Sequence, residues 1–170
     1  KGRDMNSSIL YSRAGIATQI LLSTEEDYFI VDIGDGALRD LLFRKINFRK
    51  IKGIFLTHGH YDHIAGLYAL LGYLRTIERK CPINIYFPKG SKEAQQIIFA
   101  FQESYDDFSF QIQTYEVKGG DEVKIKDLEV KIYQMRHYAA IGVNRILHPD
   151  PAVGYRFTYK GESVAISGDT

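Results

Sequence analysis

Residues 57–63 contain most of the side chains that could do chemistry in this sequence. They read Thr-His-Gly-His-Tyr-Asp-His, so three histidines and one carboxylate lie within a few positions. Neutral imidazole and carboxylate are ligands that zinc and other borderline metals prefer. His58 and His60 are two positions apart, so they point the same way in an extended segment. Asp62 and His63 begin the next element and can face a neighbouring point, and the stretch therefore predicts ligands for two metal ions.

A polar surface loop that is merely rich in histidine is the alternative interpretation of this stretch. The sequence has five histidines, and three of them lie in residues 57–63, which favours the metal site. Gly59 separates the first two histidines and is expected to let the backbone turn there, because glycine has no Cβ to clash.

The flanking elements would position these side chains at the edge of a sheet. Residues 51–57 form an apolar run typical of a buried strand, and a helix is predicted over residues 64–79. Its apolar stripe at helical spacing is Leu67, Leu70, Leu71, Leu74 and Ile77. A strand that ends in a tight loop and leads into a helix projects its loop side chains into one small volume.

Two carboxylates, Asp32 and Asp35, follow an earlier predicted hairpin whose strands are residues 17–22 and 28–33. A helix is predicted immediately afterwards, over residues 37–45. These carboxylates could serve only the turn and cap that helix. The functional alternative is a carboxylate that orients a metal-binding histidine from behind.

The remaining elements mix strands and helices. Residues 1–15 are weakly patterned, and the later pattern predicts a strand at 83–87, a helix at 91–102, a strand at 108–112, and hairpins at 123–135 and 155–167. Parallel sheets alone do not contain so many hairpins. The sequence therefore predicts an α/β (α+β) domain in which mixed sheets pack between helices.

Two later residues, His137 and Asp169, could complete a two-metal site. His137 follows the predicted strand 130–135, and Asp169 follows the strand 163–167 and the turn residue Gly168. Alone, they would read as a surface histidine and a turn aspartate. However, strand ends on one edge of a sheet can converge on one cleft. Because residues 57–63 already predict a metal site, we expect His137 and Asp169 to be ligands as well.

The central residues resemble the H-x-H-x-D-H signature of the metallo-β-lactamase superfamily, and their flanks are most similar to its ribonuclease Z branch. The resemblance spans about residues 28–170. His137 matches the third metal-binding segment of the family, and Asp169, in Ser-Gly-Asp-Thr, matches the aspartate that bridges the two metals. Asp32 matches the aspartate behind the metals, and residues 154–156, Gly-Tyr-Arg, resemble ribonuclease Z in particular.

This resemblance implies an αββα sandwich with two zinc ions, for which manganese or iron could substitute. One ion would be bound by His58, His60 and His137, the other by Asp62, His63 and a histidine after residue 170, and Asp169 would bridge them. Asp62 would also orient or deprotonate the nucleophilic water. The implied reaction is phosphodiester hydrolysis by a metal-activated hydroxide that removes the 3′ trailer of precursor tRNA. Homodimers are common in the family, which makes a homodimer the implied assembly.

Two other functions stay open on the same fold. One is a small-molecule hydrolase, such as a phosphodiesterase, an arylsulfatase-like enzyme or a lactonase. The other is a non-catalytic RNA-binding scaffold, although such proteins tend to lose metal ligands. The modest net charge of +1 favours the small-molecule enzyme, whereas the Gly-Tyr-Arg and Ser-Gly-Asp-Thr segments favour ribonuclease Z.

The sequence departs from the family pattern in three places. Asp35 stands where the family has glutamate, and residue 170 precedes the final metal-binding histidine. The long Gly/Pro-rich arm that grips tRNA has no counterpart, since residues 138–151 offer at most a short loop in which we place His148. We therefore expect a fragment of a longer protein, in which a partner or a second segment would have to cover an exposed sheet edge.

Composition bounds the class of protein. A chain of 170 residues suits one domain with a sizeable core. No apolar run approaches the roughly 20 residues that cross a bilayer, and no signal peptide is visible, so no membrane partner is expected. Cys81 is the single cysteine, which excludes an intramolecular disulfide and fits a cytoplasmic location.

Overall fold

The computed structural model describes residues 4–139, 148–149 and 151–169. Its first sheet has six strands in the order β1-β2-β3-β4-β5-β6. The strands are β1 Asn6–Arg13, β2 Ala17–Ser23, β3 Tyr28–Ile33, β4 Ile51–Phe55, β5 Ile83–Pro88 and β6 Ile112–Val117. β1, β2 and β3 pair antiparallel, whereas β3 to β6 pair parallel, so the predicted mixed sheet is confirmed.

Four helices connect the parallel strands and cover one face of this sheet. They are α1 Ala37–Phe43, α2 Tyr61–Ile64, α3 Leu67–Thr76 and α4 Lys92–Ser104, and a 3-10 helix, Phe48–Lys50, precedes β4. Parallel neighbours need such crossovers. The helices bury their apolar faces in one core with the sheet residues Ile30, Ile54 and Ile85. No helix among the described residues is long and apolar enough to cross a membrane.

A second, antiparallel sheet covers the opposite face, in the order β12-β11-β8-β7. The later strands are β7 Glu122–Ile125, β8 Leu128–Gln134, β9 Tyr138–Ala139, β10 His148–Pro149, β11 Val153–Tyr159 and β12 Glu162–Ile166. Phe55 lies at the centre of the layer between the sheets, where its ring stacks on Tyr86 at 4.5 Å and meets Phe157 edge-on at 5.0 Å. The described residues therefore form a helix–sheet–sheet arrangement, three layers of an αββα sandwich.

The predicted helix over residues 64–79 is interrupted. It begins earlier, as α2, and breaks at Gly66, whose N–H donates to the Ile33 carbonyl at 2.8 Å. A Cβ on Gly66 would lie 2.4 Å from the Gly34 carbonyl oxygen. The close approach of the end of β3 therefore ends one helix and starts the next, α3.

Two other sequence predictions were wrong, and a stretch for which no element was predicted forms a strand. Residues 6–13 form the edge strand β1 although their pattern is weak, because exposed side chains give little alternation. Phe108 and Phe110 are not in a strand; they pack with Phe101 in the helical layer, and the strand β6 begins at Ile112. His148 was placed in a loop, but its backbone pairs with Ala139. Residues 140–147 and 150, which belong to the same predicted loop, lie outside the described residues.

Candidate metal centre

The motif, residues 57–63, begins two positions after the end of β4, at the junction of the two sheets. The Tyr155 hydroxyl donates to the Leu56 carbonyl at 2.7 Å, and the Val153 amide donates to the Thr57 carbonyl at 2.8 Å. β11 of the second sheet therefore holds the segment that leads into His58. These two hydrogen bonds explain why His137, which follows a strand of the second sheet, can reach the motif.

The structure brings His58, His60 and His137 together, as expected from the sequence. One nitrogen from each lies within 4.8 Å of the other two. The Nε2 of His137 is 3.0 Å from the Nδ1 of His60, and the rings of His58 and His137 are 4.4 Å apart. His137 reaches this cluster from the end of β8. Three imidazole nitrogens around one point form a typical donor set for zinc.

A second group forms beside the first from His58, His63 and Asp169, whose ligand atoms also lie within 4.8 Å of one another. The His63 Nε2 is 3.3 Å from Asp169 Oδ1 and 3.9 Å from Asp62 Oδ2. Asp62 lies at the margin of this group, and its Oδ2 accepts a hydrogen bond from the Gly15 amide at 2.8 Å. All six side chains proposed as ligands are therefore in one place.

The buried carboxylate of Asp32 lies behind both groups. Its Oδ1 accepts the Thr57 amide at 2.8 Å, and its Oδ2 accepts the Thr57 hydroxyl at 2.8 Å and the Nδ1–H of His63 at 2.7 Å. The second interpretation of Asp32, orientation of a histidine, therefore agrees with the geometry. Asp35 is exposed in the turn, and no side chain caps α1, which follows Gly36.

These bonds decide which ring nitrogens carry protons. Because the Thr57 hydroxyl gives its proton to Asp32, its oxygen accepts from the Nδ1–H of His58, 3.1 Å away. The Nδ1 of His63 is likewise a donor to Asp32. In the neutral rings, the Nε2 of His58 and the Nε2 of His63 therefore present lone pairs. Both atoms are buried without a hydrogen bond to any described residue.

Two buried, unbonded nitrogen lone pairs fit a metal cation. Each would otherwise cost about 1–3 kcal/mol as a buried acceptor without a partner. Coordination by zinc or a similar ion would satisfy both, and a hydrogen bond at the other ring nitrogen is the usual support of a metal-binding histidine. The donor set thus suits the metal that the motif predicts.

Burial and neighbouring charge set the protonation of these histidines. Burial, together with the neighbouring histidines, lowers the pKa of His58 to about 2, so His58 is neutral. Burial also opposes the charged form of His63, but the hydrogen bond and negative charge of Asp32 raise its pKa overall. Burial raises the pKa of Asp32. In the neutral His63 ring, the hydrogen bond to Asp32 keeps the proton on Nδ1, on the side away from the candidate metal site.

Close backbone contacts position the motif. Asp32 has a φ of 55°, a left-handed conformation that is uncommon for residues other than glycine. A Cβ on Gly34 would lie 2.3 Å from the Asp62 carbonyl oxygen, and one on Gly168 would lie 2.6 Å from Thr57 Oγ1. Gly34 and Gly168 therefore let β3 and the Asp169 segment approach the motif.

Gly59 has a different role from the one predicted. It is not among the glycines with positive φ, so the turn does not require glycine for its backbone angles. Instead, a Cβ on Gly59 would lie 2.5 Å from a carboxylate oxygen of Glu93 and 3.0 Å from Ser91 Oγ. The start of α4 thus packs directly on the backbone between the two histidines.

Thr57, Tyr61 and Gly15 contribute to the site but were not singled out as site residues in the sequence analysis. The position of Thr57 before His58 could have suggested a hydrogen-bond partner for the ring. Nothing local indicates Gly15, which is 47 positions from Asp62.

The fold and the histidine–carboxylate centre define a β-lactamase-type metal-binding domain. The chain matches the family described as "Beta-lactamase superfamily domain" over residues 29–170 and belongs to this family. It is 35% identical over 134 residues to a protein named Ribonuclease Z from Pyrococcus horikoshii, covering 79% of this chain and 39% of that relative. A Ribonuclease Z from Archaeoglobus fulgidus is 34% identical over 109 residues, covering 64% of this chain and 34% of that relative. The chain thus spans well under half the length of these relatives.

Solved structures show the same fold. The short form of human tRNase Z (ELAC1) superposes with a TM-score of 0.74 at 22% identity, covering 96% of this chain and 68% of that one. The metallo-β-lactamase fold protein YhfI from Bacillus subtilis gives a TM-score of 0.71 at 17% identity, covering 98% and 62%. The predicted metallo-β-lactamase fold is therefore confirmed.

Proposed function

We propose that this chain carries the catalytic metal centre of a ribonuclease Z-like endoribonuclease, which hydrolyses a phosphodiester bond to release the 3′ trailer of precursor tRNA. The observation that carries the proposal is the pair of buried Nε2 lone pairs on His58 and His63, held by one carboxylate, Asp32. The similarity to proteins named Ribonuclease Z supports this reaction among those that the fold can host.

The six clustered side chains would hold two ions between them. His58, His60 and His137 would hold one ion, Asp62 and His63 the other, and Asp169 would reach both; zinc is the proposed metal, with manganese or iron as alternatives. When bound, a metal pair supplies Lewis acidity, which lowers the pKa of water and offsets negative charge at phosphorus.

Asp62 would handle the proton of the attacking water. Its Oδ2 accepts the Gly15 amide at 2.8 Å, and its Oδ1 makes no hydrogen bond to another described residue. Oδ1 can therefore accept a water proton while Oδ2 keeps the carboxylate in one orientation. Asp32 and Thr57 contribute by keeping the imidazole rings in the tautomer that leaves Nε2 open.

Free cations next to the motif suit a polyanionic substrate. Arg13 is the last residue of β1, next to the turn that contains Gly15. Lys89 and Lys92 lie on either side of Ser91, which packs close to Gly59, and Arg136 precedes His137. All four cations are exposed, and within the described part of the chain none forms an ion pair. Phosphates of an RNA backbone would bind such side chains.

A small-molecule phosphodiesterase is the second candidate, favoured by the net charge of only +1. The two candidate functions can be distinguished by incubating the metal-loaded protein with precursor tRNA that carries a 3′ trailer and, in parallel, with a bis-aryl phosphodiester. Trailer release that Asp62→Asn slows by about 10²–10⁴-fold would support the ribonuclease. Hydrolysis of the small diester with intact precursor tRNA would support the second candidate instead.

Assembly and location belong to the same proposal. We propose a homodimer in the cytoplasm, following the resemblance to ribonuclease Z and the single cysteine, Cys81. Light scattering of the purified protein, with and without RNA, measures the mass in solution, and fractionation of the source cells tests the location.

A further inference from the structure

The turn between β1 and β2 is joined to α2 by two hydrogen bonds from adjacent residues of the motif. The Tyr61 hydroxyl donates to the Gly15 carbonyl at 2.5 Å, and the Gly15 amide donates to Asp62 Oδ2 at 2.8 Å. One glycine thus closes a small ring with a tyrosine and the carboxylate to which we assign proton transfer.

The Tyr61 ring contributes little to packing, since the residue is 64% exposed. The main specific contact of Tyr61 is therefore the hydrogen bond from its hydroxyl to the Gly15 carbonyl. Asp62, by contrast, is buried, so its carboxylate depends on protein donors for its orientation. The turn itself is closed by the Ile16 amide, which donates to the Arg13 carbonyl at 3.0 Å, and Gly15 has a φ of +69°.

We propose that Tyr61 is a positioning residue for Asp62. It holds the Gly15 turn against α2, so that the Gly15 amide fixes Oδ2 and leaves Oδ1 toward the water and the substrate. A hydrogen bond from N–H to a carboxylate is strong and directional, and small misplacements of a reacting group slow catalysis steeply. The inference rests on the function proposed above, in which Asp62 accepts the proton.

The first test compares Tyr61→Phe with Tyr68→Phe in the metal-loaded protein. Tyr68 is also a partly exposed helical tyrosine, but its hydroxyl makes no hydrogen bond to the described residues. We expect Tyr61→Phe to lower kcat roughly ten- to a hundredfold with little change in KM, and Tyr68→Phe to leave both unchanged. A normal kcat in Tyr61→Phe would overturn the proposal.

A second pair of variants tests the turn. Gly15→Ala and Gly161→Ala introduce the same backbone strain, because both glycines have positive φ and neither Cβ would meet an atom within 3.5 Å. Gly161 lies in the β11–β12 turn, away from the motif. We expect only Gly15→Ala to lower kcat, whereas equal losses in both variants would mean that strain alone is responsible and would overturn the role of the turn.

Coupling to Asp62 separates positioning from a general structural effect. If Tyr61 acts through Asp62, adding Tyr61→Phe to Asp62→Asn should cause no further loss of turnover, and a full additive loss would contradict the proposal.

Exchange of the Gly15 amide with solvent, followed by NMR, gives a readout independent of turnover. It should be about tenfold faster in Tyr61→Phe, and unchanged exchange would overturn the proposal. Absence of phosphodiesterase activity in the unmodified protein would instead count against the proposed function, with the exchange measurement still deciding the role of Tyr61.

Discussion

Asp32 and His63 form a fully buried hydrogen bond of 2.7 Å between Oδ2 and Nδ1. The two residues are 31 positions apart and come from β3 and α2. Because the same carboxylate also accepts both the amide and the hydroxyl of Thr57, one side chain orients two histidines. The candidate metal centre therefore depends on a carboxylate that would not itself touch the metal.

Asp32→Asn should weaken metal binding without unfolding the protein. Asparagine tolerates the left-handed backbone of residue 32, but its amide lacks the charge that holds the Nδ1–H of His63. Loss of such a supporting partner typically lowers metal affinity about 10- to 100-fold. Zinc affinity measured by competition with a chelator checks this, and Asp35→Asn, an exposed change in the same turn, is the control. Equal affinity in both variants would refute the role of Asp32.

Much of the candidate centre could be predicted because its proposed ligands are grouped in the sequence. His58 and His60 are nearly contiguous, and His137 and Asp169 follow strands, so their convergence followed from the sheet. Contacts that depend on tertiary approach could not be predicted: the bond from Gly15 to Asp62 has no local signal. Likewise, the break at Gly66 is caused by the backbone of β3, which the apolar stripe of the helix does not reveal.

Thr57 should be replaceable by serine but not by valine. Valine has nearly the same shape, but it would leave the Nδ1 of His58 without its acceptor and remove one donor from Asp32. We expect Thr57→Val to lower zinc affinity roughly tenfold and Thr57→Ser to stay near the unmodified protein. The same chelator competition measures both, and equal weakening by the two variants would show that the methyl group, not the hydroxyl, matters.

Arg79 should be the strongest stabilising charge in the helical layer. It is fully buried, and its guanidinium donates to the carbonyls of Phe48, Ile51, Cys81 and Pro82 at 2.6–2.8 Å. Arg79→Met would leave these carbonyls without their donor, and we expect it to lower the free energy of unfolding by about 2–4 kcal/mol. Urea denaturation measures the loss. Arg49→Met, which removes one exposed bond to Ile77, should cost far less.

Two glycine-to-alanine changes should have opposite effects on the stability of the fold. A Cβ on Gly66 would lie 2.4 Å from the Gly34 carbonyl oxygen, whereas one on Gly72, inside α3, would meet nothing within 4 Å. Gly72→Ala should therefore raise stability by about 0.5–1 kcal/mol through helix propensity. Gly66→Ala should destabilise strongly and reduce bound zinc, since it separates α2 from β3. Thermal unfolding of both variants tests this, and a stable Gly66→Ala protein with full zinc content would contradict the packing argument.

The free cations near the motif should bind RNA through its phosphates. Lys89→Glu places negative charge close to Ser91, which packs near Gly59, and Arg136→Glu places it next to His137 in the sequence. We expect each change to weaken binding of precursor tRNA. Each lost phosphate contact should also reduce the slope of log affinity against log salt by about 1. Lys50→Glu is the matched control, because Lys50 is equally exposed but precedes β4, at the opposite end of that strand from the motif. Filter binding at several salt concentrations gives both quantities. If Lys50→Glu weakens binding as much as the other two variants, the effect is one of total charge, and the cations around the motif do not form the RNA-binding surface.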